Sequence, residues 1–121
     1  MARRERASEL IPAMYYVQAR RIRTWLTLKV REAMAGLDAI LMPVAPGAAP
    51  KGLQSTGSAN LLVPWSFLGF PAITLNGGLS PEGLPLGLQF VAPPKDDYKL
   101  LQTGAWCENV LGRLPAPVVA V

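Results

Sequence analysis

The sequence predicts an α/β fold with a long N-terminal helix, a short mixed sheet containing a hairpin, and a C-terminal helix. Three observations carry that expectation. Apolar residues recur at helical spacing over residues 8–35 and again over 96–111. Short apolar runs at 38–43, 72–75 and 86–91 are bounded by glycine and proline, as strands are. The order helix, strand, loop, hairpin, helix lays helices against a sheet, and 121 residues suit a single domain, 1–121.

The first helix, 8–35, takes Ser8 as its cap and tolerates Pro12 only in its first turn. Ile11, Tyr15, Ile22, Trp25 and Leu26 fall near one face, with Met14 and Val17 beside them. Arg20, Arg21 and Arg23 crowd the opposite side, and Gly36 is the stop. Asp38 to Met42, closed by Pro43, reads as a buried strand. The 44–58 segment carries Pro46, Gly47, Pro50, Gly52 and Gly57 and is a loop. Residues 60–68 could form a short helix interrupted by Pro64. Ala72–Leu75 and Leu86–Val91 are then the strands of a hairpin, 72–91, joined by a turn-rich connection. Pro93 and Pro94 end the second strand. Asp96 or Asp97 caps a helix reaching Leu111, with Leu100, Gly104, Cys107 and Leu111 on one face and Gly112 closing it.

Composition removes several kinds of chemistry. Half the residues are apolar and 17% are charged, which excludes a wholly disordered acidic or basic tail. The chain has no histidine, so it holds no Ser-His-Asp or Cys-His triad and no imidazole metal site. Cys107 stands alone, which excludes an intrachain disulfide and a cysteine zinc site, and no cofactor is expected. The net charge of +4 divides into +6 over residues 1–31 and −2 over the remainder. Such a basic segment can attract phosphate or anionic lipid, but a helix with a solvated arginine face explains it more simply. Tyr15, Tyr16 and Trp25 follow helical spacing, so they read as packing residues and nucleic-acid binding is disfavoured. The first ten residues carry no apolar signal region. Residues 52–81 lack charge, yet prolines and glycines break the run, and Leu61–Leu75 is shorter than the ~20 residues a span requires. No membrane association is expected, and the location expected is cytoplasmic.

The densest information lies in 42–108. It contains Met42-Pro43-Val44-Ala45-Pro46-Gly47, then Ser55-Thr56-Gly57, then Pro64-Trp65-Ser66-Phe67-Leu68-Gly69-Phe70-Pro71-Ala72-Ile73-Thr74-Leu75. Gly83-Leu84-Pro85-Leu86-Gly87-Leu88-Gln89-Phe90 follows, and Glu108 lies near the end of the last helix. Proline and glycine through 43–58 hold an irregular chain, and Gly87 inside a strand signals a close backbone approach or a bulge. These are packing roles first.

The ordered set resembles the C-terminal end of the amidase signature family, over about 38–108, with a weaker echo at 15–23. The resemblance implies a partial α/β/α layer fold and hydrolysis of amide C–N bonds by a serine. That serine is activated through a second serine in a cis peptide and a lysine, by way of an oxyanion and an acyl-enzyme. The resemblance places all three catalytic residues upstream of the matching part. The chain is therefore expected to be a C-terminal fragment or truncated member, inactive alone, with the small-molecule amide substrate belonging to the intact parent enzyme.

The nearest imitation of a nucleophile is Ser55 or Ser58 with Lys51 close by, but the loop lacks the strand-to-helix turn that exposes one. Lys29, Lys95 and Lys99 read as solvent-facing. The family's glutamine-binding acidic position falls on Ala59, and two further polar positions fall on Leu62 and Ser66. This pattern implies a neutral amide or ureide rather than glutamine. Trp65 and Phe67 are the side chains expected to face such a pocket, with a role as core aromatics the alternative. Asn76, where the family has proline, is expected to end its strand differently. A second expectation is an interaction module whose uncovered faces associate with a second copy or with a chain carrying the catalytic half.

Overall fold

Helix α1, Ala13–Ala33, follows directly from Pro12, whose φ of −56° and ψ of 139° place it just outside the helix. Its carbonyl accepts the Tyr15 N–H at 3.0 Å. The computed structural model describes residues 11–114; the expected cap at Ser8 and the proline-bearing tail lie outside them. Within the described residues the helix is shorter than 8–35, because Pro12 cannot donate an N–H and its ψ is extended. The remaining elements are β1, Ile40–Pro43; α2, Val63–Leu68; β2, Ala72–Leu79; β3, Pro85–Val91; and α3, Asp97–Leu111.

The sheet is antiparallel throughout, in the order β1-β3-β2, where a mixed sheet was expected. β1 and β2 run in the same direction on either side of β3, joined by the 44–71 connection that carries α2, and β3 lies between them antiparallel to both. Ile40 pairs with Val91 and Pro43 with Leu88, while Ala72 pairs with Val91 and Leu75 with Leu88. Strand β2 does not end at Asn76. It continues to Leu79 through a bulge in which Gly77 is the extra residue, and Asn76 Oδ1 accepts the Gly78 N–H at 3.2 Å. Pro64 sits in the first turn of α2, where its missing N–H has no partner to lose, so it starts that helix rather than interrupting it.

Alternation along β3 divides the core in two. Val91 points to one face and packs with Met34, Leu68 and Phe70, joined by Leu26, Val30, Ile40 and Trp65. Phe90 points to the other and packs with Ala92 and Leu100, joined by Ile73, Leu75, Leu88 and Cys107. Helices α1 and α2 thus cover one face and α3 the other, an α/β/α arrangement. Inside α3, Leu100 and Gly104 are buried, and a Cβ at Gly104 would collide with Ile73 Cδ1. Asp96 occupies the cap position of α3 without a side-chain cap bond. Lys99 Nζ instead reaches Asp38 at 2.7 Å, tying α3 to the approach of β1 and raising the lysine's pKa.

Two packing expectations are corrected. Tyr15, Ile22 and Trp25 on α1 point outward, as does Ile11 just before it, each side chain more than half exposed. The helix rests on its Leu26–Thr27–Val30 side, where Thr27 Oγ1 donates to the Leu68 carbonyl at 3.2 Å, and no α1 residue is buried. Strand β1 is a sheet edge with Leu41 exposed, not a buried strand.

Candidate functional site

Strand β1 delivers the chain at Pro43 into the 44–58 loop, and one main-chain bond fixes where that loop lies. Val44 N–H donates to the Gly87 carbonyl at 3.0 Å, laying the loop across β3. A Cβ at Gly87 would stand 2.5 Å from Val44 Cγ1 and 2.9 Å from Thr74 Cγ2, so the approach requires glycine there. The strand glycine noted in the sequence makes room for the Val44 and Thr74 side chains and also flanks the β2 bulge.

Further along, Ser55 Oγ accepts the Gly57 N–H at 3.1 Å and Ser58 Oγ accepts the Asn60 N–H at 3.3 Å. These local bonds turn the loop back on itself. It then encloses an open cavity of about 650 Å³, lined by Val44 to Pro50, Ser55 to Ser58, Pro85 and Gly87. Prolines, alanines and Val44 make its apolar walls, and three hydroxyls, from Ser55, Thr56 and Ser58, lie among them. No ionisable side chain lines it. Such a cavity suits a small uncharged ligand oriented by a few hydrogen bonds. The serine hydroxyls have backbone N–H partners, Lys51 is not in the lining, and no metal-binding cluster occurs among the described residues.

The two aromatic residues singled out in the sequence lie on different sides of α2. Trp65 is half-buried: its Nε1 donates to Met42 Sδ at 3.2 Å, and its ring meets Phe70 edge-on at 5.9 Å. It fixes α2 onto β1 and does not line the cavity. Phe67 is exposed and lines a second groove, of about 490 Å³, between α1 and α2. Tyr16, Ala19, Arg20, Arg23 and Ser66 complete that groove. The sequence reading assigned those arginines to solvent. The signal that could have found the groove is the 16, 20, 23 spacing, which places three polar side chains along one face of α1. Ala59 and Leu62 sit at the start of α2, where the Ala59 carbonyl accepts the Leu62 and Val63 N–H groups.

Comparison with known proteins gives a consistent picture. The family model described as Amidase matches residues 1–101. A glutamyl-tRNA(Gln) amidotransferase subunit from Methylorubrum populi is 37% identical over 113 residues, covering 85% of this chain and 23% of that protein. Its counterpart from Sphingopyxis alaskensis is 37% identical over 106 residues, with 81% and 21% covered. Among solved structures, one described as an amidase superposes with a TM-score of 0.75 at 34% identity, covering 88% of this chain and 27% of its own. Another, from a vestigial protein complex bearing on the origins of an s-triazine catabolic enzyme, gives a TM-score of 0.73 at 26% identity, with 91% and 27% covered. The chain thus spans about a quarter of the length of the relatives it matches.

Proposed function

This chain belongs to the amidase family, and from that premise we propose that it forms one wall of an amide-cleaving site and hydrolyses nothing alone. The nucleophile and its base reside on amidase polypeptide beyond these residues. The observation that carries this reading is the 44–58 cavity, which is lined by hydroxyls with no base among them. A serine attacks an amide only when a neighbouring group takes its proton. Ser55 and Ser58 are engaged in local turns, which supports a structural role for both.

The substrate proposed for the complete enzyme is a small neutral amide or ureide. The cavity's uncharged lining favours it, since an ammonium group placed there would lose hydration without gaining a carboxylate. Neither aromatic expected at the pocket lines this cavity: Phe67 faces the separate α1–α2 groove, and Trp65 holds α2 in place. A cytoplasmic setting agrees with the single free thiol, Cys107.

The test is to purify the chain and assay it against p-nitrophenyl esters and benzamide, with no turnover expected. Turnover abolished by Ser55→Ala or Ser58→Ala would overturn the proposal. A second reading, an associating module, is favoured by one observation: Trp25, Trp106 and Val110 all stand more than half exposed on the outer faces of α1 and α3. The two readings are compatible, because a wall of a shared site must dock on the rest of it.

A further inference from the structure

We propose that the groove between α1 and α2 is a binding site for a carboxylate carried on an apolar frame, with Arg20 and Arg23 holding the anion. Two guanidinium groups open onto this one groove of about 490 Å³, and no carboxylate side chain lines it. The ion pairs among the described residues are Lys29–Glu32, Lys99–Asp38 and Arg113–Glu108, so neither arginine is spoken for.

Each arginine has a contact that places it at the groove. The Arg20 guanidinium carbon lies over the Tyr16 ring, 5.9 Å from its centroid and within cation–π range. Arg23 Nη2 comes within 3.1 Å of where a Cβ on Gly69 would stand. Gly69 caps the C-terminal end of α2 with a left-handed φ of 79°, so the guanidinium rests at the carbonyl end of that helix. The Leu68 carbonyl beside it accepts the Thr27 hydroxyl at 3.2 Å.

Planar guanidinium forks match the paired oxygens of a carboxylate or a phosphate. The rest of the groove favours the carboxylate. Phe67 and Ala19 form an apolar wall that a bare phosphate would leave in water, whereas an aryl or alkyl group would cover it. Tyr16 and Ser66 add hydroxyl donors at the rim. Because every lining residue belongs to this chain, the site stands whether or not the proposed amide chemistry does.

The experiment titrates the purified chain with sodium benzoate, its neutral isostere benzamide, and sodium phosphate, followed by calorimetry and by NMR of the arginine side chains. Benzoate is expected to saturate and to shift the Arg20 and Arg23 signals, phosphate to bind more weakly, and benzamide not to saturate. Arg20→Gln and Arg23→Gln should each raise the benzoate Kd at least about tenfold, as loss of a charge-assisted hydrogen bond does. Phe67→Ala, which spares α1 should an arginine variant unfold, should weaken benzoate and leave phosphate unchanged. The proposal is overturned by failure of benzoate to saturate, by equal binding of benzamide, by phosphate binding more tightly than benzoate, or by unchanged affinity in the folded Arg20→Gln/Arg23→Gln variant.

Discussion

Gln89 is the residue whose environment least suits its chemistry. It lies at the centre of the sheet, 1% exposed, and neither Nε2 nor Oε1 finds a hydrogen-bond partner among the described residues. Each unpaired buried amide group costs about 1–3 kcal/mol. Removing the carboxamide while keeping the bulk should therefore help the isolated chain. Gln89→Leu is expected to raise the thermal unfolding midpoint, by the equivalent of roughly 1 kcal/mol or more. A lower midpoint in calorimetry would show that the carboxamide is satisfied. The alternation of Leu86, Leu88 and Phe90 already placed Gln89 on the opposite side of the strand. Its burial was illegible because Met42 and Thr74, its register partners, come from distant segments, and the helices above that face are farther still.

At the scale of elements, the strands and the last helix were the legible parts, since short apolar runs between prolines and glycines leave few alternatives. The Leu100–Gly104 face of α3 packs where its spacing put it. The small residue at Gly104 admits Ile73, which makes the helix–sheet contact testable. Gly104→Ala should destabilise by roughly 1–3 kcal/mol through overpacking, despite the ~1 kcal/mol that alanine gains in a helix. In an Ile73→Val background, which removes Cδ1, the same substitution should become neutral or stabilising, as a double-mutant cycle in urea would report. Helix α1 was legible as a helix but not in its orientation. Its periodicity marks a face to be covered, while Leu26, Thr27 and Val30 are the residues that meet the core. The 44–58 loop could be read from its prolines; the cavity could not, because it depends on Val44 meeting Gly87 across the sheet. Trp65 and Phe67 parted for a similar reason: six residues of α2 carry too little periodicity to say which side each faces.

The whole molecule is short of cover. Among the described residues, Trp25 is 59% and Trp106 67% exposed, on opposite layers. Concentration-dependent elution in size exclusion is therefore expected, and Trp25→Glu combined with Trp106→Glu should shift it toward monomer. A clean, cooperatively unfolding monomer at every concentration would count against the associating module. Strand β2 is one outer rim of the sheet, and its bulge at Gly77 limits what can be built there. A stray strand could zip along Ala72–Asn76, but beyond that point the added twist swings the main-chain groups out of line. The ladder then halts within one short run, so an encounter between copies along this rim stays brief instead of seeding a growing fibre.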